Sequence, residues 1–205
     1  MNPNTSVRFF DEQFRRQIAE QARELNSFEL VALPHVRGKV LDYGCGMGNL
    51  AVAAARQGCS VLALDGSQAA IEHLRSLATH DSLSIVAEET DLRTHEVAEE
   101  FDSVVCIGLL MFFDCPTAYR KLEDLQSHVC PGGVAIVNVL TDGTTYMDMF
   151  SPEGHCLFKQ GELPKRFAGW DILSLQHQEF SAPANTRKVF ATIIARKPHA
   201  TRTDA

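Results

Sequence analysis

Short apolar runs alternate with helical segments from Lys39 almost to the end of the chain, and this alternation limits the possible folds. Parallel neighbouring strands need a crossover between them, so the pattern predicts an α/β protein with a mostly parallel, doubly wound sheet. The last two apolar runs have no convincing helix between them and predict an antiparallel hairpin. The predicted strands are Val40–Asp42, Ser60–Leu64, Leu83–Ala87, Ser103–Ile107, Val134–Leu140, Trp170–Gln176 and Val189–Ala195.

Three segments between the strands have the apolar spacing and the end signals of helices. The first covers Asn49–Gln57, and Gly58 is well placed to stop it. Ser67 is the predicted N-cap of the second helix. The third begins after Asp114, with Pro116 in its first turn.

A further amphipathic helix is predicted before the first strand. It either covers one side of the sheet or, because it carries aromatic residues, forms a lid over a ligand. We expect a helical cap over residues 1–35, one main domain over 36–197 and a disordered polar tail over 198–205. The apolar stripe of this helix consists of Phe10, Phe14, Ile18, Ala22 and Leu25.

Charge and composition exclude several classes of function. The chain has 205 residues, 45% of them hydrophobic, and a net charge of −7. No run of Lys or Arg provides the basic face on which nucleic-acid binding depends, so we expect no nucleic-acid partner. No stretch approaches the roughly 20 apolar residues of a membrane span, and residues 1–11 lack the apolar core of a secretory signal. We therefore expect a cytoplasmic protein without a membrane partner.

The six cysteines do not form a recognisable metal or redox motif. No two have the C-x-x-C spacing of zinc knuckles or thioredoxin-type pairs, so we predict no metal site and reduced thiols. Cys59 and Cys106 lie in apolar runs and are predicted to be small core residues. The complete set is Cys45, Cys59, Cys106, Cys115, Cys130 and Cys156.

The segment after the first strand contains a glycine-rich turn with G-x-G-x-G spacing, formed by Gly44, Gly46 and Gly48. It follows a strand directly and begins a helix, which is the context in which such a turn binds a ligand. Asp42 precedes the first glycine by two positions. Its carboxylate would repel a pyrophosphate but attract the ammonium group of a methionine moiety. The spacing also differs from the G-x-G-x-x-G of dinucleotide-binding folds.

Two more acids follow the next two strands. Asp65 ends the second strand, where a carboxylate can accept hydrogen bonds from both ribose hydroxyls. Asp91 follows the third strand and can accept a hydrogen bond from an adenine amino group. Ligands of open α/β sheets bind outside the carboxyl ends of the strands, so the three acids together predict a nucleoside-containing ligand.

The segment Leu41–Gly48 resembles the first motif of the class I S-adenosylmethionine-dependent methyltransferases, and the resemblance extends over Val36–Lys197. It implies a Rossmann-like, seven-stranded sheet of order 3-2-1-4-5-7-6 with strand 7 antiparallel. It also implies S-adenosylmethionine as the cofactor. The implied binding residues are Asp42, Tyr43, Gly44, Cys45, Gly46, Gly48, Asp65, Gly66, Asp91, Leu92, Cys106, Ile107 and Met111.

The second half of the chain looks most like the tellurite-resistance (TehB-like) methyltransferases. That family has a catalytic His-Arg pair in a hairpin before the last strand. The corresponding segment here, Glu179–Asn185, is shorter and lacks the pair, and Arg187 is the nearest candidate replacement. The resemblance rests on Leu110–Phe113, Cys130–Gly133, Phe158–Leu163 and Phe190–Lys197.

Methyl transfer from a sulfonium ion already has a good leaving group, so alignment of the two reactants supplies much of the catalysis. A general base is needed only when the acceptor must lose a proton during attack. Candidates follow the fourth and fifth strands: Asp114, Asn138, Asp142, Tyr146 and His155. His155 has the most suitable intrinsic pKa for a base near neutrality.

The acceptor stays open between a metalloid oxyanion such as tellurite and an organic carboxylate, amine, thiol or ring hydroxyl. Nucleic-acid amino-methylation is disfavoured because Cys106–Gly108 replaces the Asn/Asp-Pro-Pro-aromatic motif. A nicotinamide-dependent dehydrogenase would need the wider glycine spacing. A non-catalytic cofactor-binding module is an alternative of another class. We expect a small-molecule methyl acceptor and a monomer or homodimer.

Overall fold

Seven strands form one twisted sheet in the computed structural model, which describes residues 5–19, 24–150 and 154–199. The sheet has the order β3-β2-β1-β4-β5-β7-β6, as predicted. The strands are β1 Lys39–Tyr43, β2 Ser60–Asp65, β3 Ile85–Glu89, β4 Phe101–Ile107, β5 Val129–Leu140, β6 Asp171–Ala182 and β7 Thr186–Arg196.

Helices follow β1, β2 and β4, and helices cover both faces of the sheet. The helices are α1 Thr5–Ala19, α2 Ser27–Ala32, α3 Asn49–Arg56, α4 Gln68–His80, α5 Cys115–Ser127 and α6 Glu162–Arg166, with short 3₁₀ turns at Leu33–His35 and Leu110–Phe112. Ser67 and Asp114 are the N-caps of α4 and α5, as predicted, and each side chain accepts a backbone N–H of the first turn. None of the described helices is long and apolar enough to cross a membrane.

The order of the strands creates a switch point between β1 and β4. The chain winds from β1 outward to β2 and β3, then crosses to β4 on the other side of β1 and continues to β5. β7 pairs with both β5 and β6 in antiparallel fashion, which confirms the predicted hairpin. Crossovers diverge at such a point and leave a crevice at the carboxyl ends of the strands.

The core has one layer on each face of the sheet because successive strand residues point to opposite faces. On one face, Leu41 packs with Leu122 of α5. On the other, Val40 packs with Leu50 of α3 and Leu74 of α4. All five of these side chains are almost fully buried. The sheet is therefore rigidly held directly below its carboxyl edge.

The single helix predicted to extend to Leu25 is wrong in its length. Within the described residues, α1 ends at Ala19 and Leu25 lies in the segment before α2, while Ala22 lies outside the described residues. The reason is a capping box at Asn26. The Asn26 Oδ1 accepts the N–H groups of Phe28 and Glu29, and the Glu29 carboxylate accepts the N–H of Asn26. This capping box starts α2.

The prediction that all the thiols are reduced is also wrong for one pair. Cys115 at the start of α5 and Cys156, 41 residues later, form a disulfide. The fold brings them together because the Cys156 N–H donates to the Met111 carbonyl, immediately before α5. Long-range pairing of this kind has no C-x-x-C signature. Cys59 and Cys106 are free and buried, as predicted.

Replacing Cys156 by Ser should lower the free energy of unfolding by about 2–4 kcal/mol, because the disulfide restricts the unfolded chain. Urea unfolding followed by circular dichroism measures this change. Cys130→Ser is the matched control, since Cys130 is a free, partly exposed thiol. Full alkylation of Cys115 and Cys156 in the unfolded, unreduced protein would contradict the disulfide.

Candidate functional site

A cavity of about 1440 Å³ opens at the carboxyl ends of the central strands. It extends from the ends of β2 and β3, across the switch point between β1 and β4, to the ends of β5 and β7. Ten of the predicted cofactor-binding residues line it. These ten are Asp42, Gly44, Cys45, Gly46, Asp65, Gly66, Asp91, Leu92, Ile107 and Met111.

The glycine-rich turn is anchored to the end of β2. The N–H groups of Gly44 and Cys45 both donate to the Leu64 carbonyl, at 2.8 and 3.0 Å. Gly46 has a φ of +51°, and a Cβ there would lie 3.1 Å from the Phe14 Cζ. Both the left-handed φ and this tight contact with α1 favour glycine at position 46.

Helix α1 lies over the turn and closes one side of the cavity. Its Asp11 carboxylate accepts hydrogen bonds from the Ser67 hydroxyl at 2.6 Å and from the Ala69 N–H at 3.3 Å, at the start of α4. Phe10 and Phe14 face the cavity. Of the two functions considered for the N-terminal helix, this position agrees with a lid.

The carboxylate of Asp65 lies between the glycine turn and the start of α4. Its Oδ2 accepts the N–H of Gly46 at 2.8 Å and its Oδ1 accepts the N–H of Ser67 at 2.9 Å. Burial raises the pKa of Asp65, although the backbone hydrogen bonds act in the opposite direction. Each carboxylate oxygen has a second lone pair, so both can still accept a hydrogen bond from a ligand hydroxyl.

Asp42 is the least compensated acid of the cavity. It is only 5% exposed, and its Oδ2 has no hydrogen-bond partner among the described residues. Burial, followed by the nearby carboxylates of Glu29 and Asp65, raises the pKa of Asp42 to about 8. A cation next to Oδ2 would restore the charged form and satisfy the orphaned oxygen.

The third acid, Asp91, has a different environment. Its carboxylate pairs with the Arg93 guanidinium at 2.9 and 3.0 Å, which lowers the pKa of Asp91. Leu92 is buried and lines the cavity beside it. The Tyr43 hydroxyl donates to the Leu92 carbonyl at 2.6 Å and so fixes this segment from behind.

Three predicted cofactor residues do not line the cavity but support it. Tyr43 is fully buried because its position on β1 points into the core, away from the neighbouring Asp42. Cys106 is fully buried on β4 for the same reason, and burial raises its pKa. Gly48 has a φ of +72° and is the N-cap of α3, where a Cβ would collide with Leu74.

The half of the cavity beyond the switch point is apolar. Two aromatic pairs lie there: Phe10 with Phe112 at a centroid distance of 4.9 Å, and Phe28 with Phe190 at 4.8 Å. Its lining from β4, β5, β7 and the segments after them comprises Ile107, Gly108, Leu109, Met111, Phe112, Phe113, Asn138, Leu140, Met149 and Phe190.

Asn138 is the one residue of that set with a polar side chain. It is fully buried on β5, opposite Thr192 of β7. Its Nδ2 donates to the Thr192 Oγ1 at 2.8 Å, and its Oδ1 has no partner among the described residues. Of the candidates named after the fourth and fifth strands, Asn138 is the one that lines the cavity.

The candidate bases Asp114 and His155 are not among the residues that line the cavity. Asp114 is the N-cap of α5 and accepts the N–H of Thr117, which lowers its pKa and gives it a structural function. His155 is exposed and stacks on Phe150 at a centroid distance of 4.7 Å.

Tyr146 and Arg187 also lie outside the lining. The Tyr146 ring packs under the Lys188 ammonium, 4.8 Å from the centroid. The Arg187 Nε donates to the Gly143 carbonyl at 3.0 Å, so this half-exposed side chain does not replace the missing His-Arg pair. The order of residues after β5 indicated proximity to the site, but the loop directs these side chains elsewhere.

Several residues that line the cavity were not predicted from the sequence, of which Phe28, Glu29 and Phe190 matter most. Glu29 had a usable signal, since Asn26 and Glu29 have the spacing of a capping box, which predicts a helix start. Burial raises the pKa of Glu29. Phe190 had no such signal because an aromatic residue in an apolar strand is typical of any core.

Residues 40–133 match the family model described as a methyltransferase domain. The chain is 27% identical over 166 residues to Hemagglutinin 1 of Eikenella corrodens, covering 78% of this chain and 55% of that protein. It is 25% identical over 167 residues to the probable S-adenosyl-L-methionine-dependent methyltransferase TehB of Haemophilus influenzae, covering 78% and 57%. The chain thus spans just over half the length of these relatives.

The crystal structure of TehB from Haemophilus influenzae superimposes with a TM-score of 0.75 and 20% identity, over 88% of this chain and 65% of that one. The matched domain covers just under half of this chain, and the sequence and fold comparisons together show similarity to the S-adenosylmethionine-dependent methyltransferases. The N-methyltransferase NodS of Bradyrhizobium japonicum, solved with S-adenosyl-L-homocysteine, has the same fold, with a TM-score of 0.65, 16% identity and coverage of 97% and 90%.

The residues at the carboxyl edge fit S-adenosylmethionine, the cofactor of this class. The orphaned Asp42 oxygen suits an ammonium group, and the Asp65 carboxylate has free lone pairs for a ribose. Glycines at positions 44 and 46 of the turn present no Cβ to a ligand in the cavity, so its backbone can approach the ligand closely. No group of three or more metal-ligating side chains occurs among the described residues.

Asp42→Asn should stabilise the ligand-free protein, and more so at pH 8 than at pH 5. The folded state holds a proton on Asp42 up to a pKa of about 8, whereas the unfolded chain releases it near 3.8. The stability contribution of this carboxyl therefore falls as the pH rises between those values. Thermal unfolding at both pH values measures the gain, at about 2–4 °C per kcal/mol.

Asp148→Asn is the matched control for this experiment, since Asp148 is exposed on a loop. Its melting temperature should differ little from that of the wild type at either pH. An Asp42→Asn variant that is equally stabilised, or not stabilised, at both pH values would show that Asp42 is ionised in the folded protein.

Proposed function

We propose that the protein transfers the methyl group of S-adenosylmethionine to a small-molecule acceptor in the cavity beyond the switch point. The observation that carries this proposal is the buried carboxyl oxygen of Asp42, two residues before the glycine turn, which has no hydrogen-bond partner in the described part of the chain. Burying a hydrogen-bond acceptor without a partner costs free energy. The position of this oxygen in the cavity therefore favours a cationic ligand group beside it.

The remaining contacts support one orientation of the cofactor. Asp65 is oriented by two backbone N–H groups and faces the cavity, where it would accept hydrogen bonds from the ribose hydroxyls. Asp91 and Leu92 follow β3 and would hold the adenine. The sulfonium would then lie near the switch point, facing Ile107–Leu109 at the end of β4.

When bound, S-adenosylmethionine supplies an activated methyl group on a positively charged sulfur. The protein's contribution is to bind, orient and exclude water. Asp42 would hold the ammonium end of the cofactor and Asp65 its ribose, and Phe10 and Phe14 of α1 would cover it. Holding the acceptor within attack distance of the methyl group supplies the main catalytic effect.

The candidate bases from the sequence lie outside the cavity lining, which favours an acceptor that needs no base. Asn138 is the polar group placed to orient such an acceptor through the buried Oδ1. The resemblance to the tellurite-resistance (TehB-like) methyltransferases suggests a metalloid oxyanion as one acceptor, and an organic molecule is the other.

Asp65→Ala should weaken S-adenosylmethionine binding at least about tenfold, or ~1.4 kcal/mol, because charge-assisted hydrogen bonds to the ribose are lost. Titration calorimetry measures the affinity of the wild type and the variant. In the wild type, S-adenosylmethionine should bind and NAD should not, and turnover should release S-adenosylhomocysteine.

Asp148→Ala serves as the matched control, since it removes an exposed acid outside the cavity and should bind the cofactor like the wild type. Unchanged affinity in a folded Asp65→Ala protein would remove Asp65 from the site. A wild type that binds NAD in preference to S-adenosylmethionine would refute the proposed function.

A further inference from the structure

The charges around the cavity are strongly one-sided. Six acidic side chains line it. Among the described lining residues there is one cationic side chain, Arg93, and it already pairs with Asp91. Neither Lys nor His occurs in the described lining. The acids are Glu24, Glu29, Asp42, Asp65, Glu89 and Asp91.

The half of the cavity beyond the switch point, lined by Ile107–Leu109, Met111–Phe113, Asn138, Leu140, Met149 and Phe190, is called the acceptor half. It contains no charged residue from β4, β5 or β7. It presents the rings of Phe112 and Phe190, packed in pairs with Phe10 and Phe28, and the buried amide of Asn138. The faces of aromatic rings carry negative electrostatic potential and attract cations. Every polar feature of this half therefore favours a neutral or positively charged molecule.

We propose that the methyl acceptor is an amine attached to an apolar or aromatic body, bound among Phe10, Phe28, Phe112 and Phe190 with an N–H donated to the Asn138 Oδ1. This substrate class rests on the proposed methyltransferase function and specifies it further. Apart from Arg93, which pairs with Asp91, the described lining offers an anionic acceptor no cationic side chain, and it includes the carboxyls of Asp42 and Glu29.

The charge balance of the reaction agrees with this surrounding. The lone pair of the neutral amine forms a bond to the methyl carbon, the carbon–sulfur bond breaks, and its electron pair stays on sulfur. The positive charge passes from sulfur to nitrogen, so the cavity holds one positive charge before and after transfer. An amine that enters as its ammonium ion releases one proton to water before the attack, because only the neutral form has the lone pair. No base acts during the transfer itself, and the product ammonium can lose a proton to water after release.

Transfer to an oxyanion would place different demands on the site. A dianion such as tellurite would enter a cavity lined by acids, where each like charge within a few ångströms is unfavourable. The His-Arg pair that the sequence lacks has no replacement in the cavity, since Arg187 is hydrogen-bonded to the Gly143 carbonyl outside it. The lining thus disfavours tellurite.

The test uses the full chain saturated with S-adenosylhomocysteine and two probes of similar size and opposite charge, benzylamine and benzoate. Titration calorimetry at pH 7.5 should show benzylamine binding at least about tenfold more tightly than benzoate or tellurite, which corresponds to ~1.4 kcal/mol. A lack of preference, including no binding of either probe, or a preference for benzoate or tellurite, would overturn the proposal.

Two variants localise the benzylamine site. Phe112→Leu and Phe190→Leu should each weaken benzylamine binding about three- to thirtyfold, because a cation–π contact is lost. Phe158→Leu makes the same change in the core outside the cavity and should leave the affinity unchanged. Equal losses in all three folded variants would overturn the assignment of the acceptor to this half.

The same titrations separate a failure of the proposed methyltransferase function from a failure of the proposed acceptor class. Failure of S-adenosylhomocysteine to bind the wild type would refute the proposed methyltransferase function itself. Normal binding of S-adenosylhomocysteine without a preference for the amine would refute only the acceptor class.

Discussion

The buried carboxyl of Asp42 is the constraint around which the site is organised. Asp42 is the penultimate residue of β1, next to the switch point of the sheet, and its Oδ2 has no partner among the described residues. The two nearby carboxyls of Glu29 and Asp65 raise its pKa further. Without a ligand, the Asp42 carboxyl has an unsatisfied hydrogen-bond acceptor, and a cationic ligand would satisfy it. The fold tolerates this local instability because the layers beneath it are fully packed.

Much of the fold was predictable because it depends on local patterns. Alternating strands and helices give the sheet, and Ser67 and Asp114 mark helix starts with their own side chains. The strand order followed from the resemblance to a known family. The part of the cavity lined by Asp42, Asp65 and Asp91 was likewise predictable, since acids at the ends of successive parallel strands must meet at one edge.

The acceptor half was not predictable for a physical reason. It is formed by contacts between distant segments, such as Phe28 of α2 with Phe190 of β7, which no local pattern encodes. The disulfide between Cys115 and Cys156 has the same origin. Proximity in sequence also suggested residues that are not in the site. His155 and Tyr146 follow β5 but their side chains lie outside the cavity lining.

The central claim is that the ends of β1 and β2 hold an adenosyl sulfonium with its ammonium group at Asp42. A crystal structure of the protein with S-adenosylhomocysteine tests it most directly. We expect the ammonium nitrogen within hydrogen-bond distance, about 2.7–3.2 Å, of the Asp42 carboxylate, and both ribose hydroxyls hydrogen-bonded to Asp65. A ligand bound elsewhere, or bound here with its amino acid end away from Asp42, would contradict it.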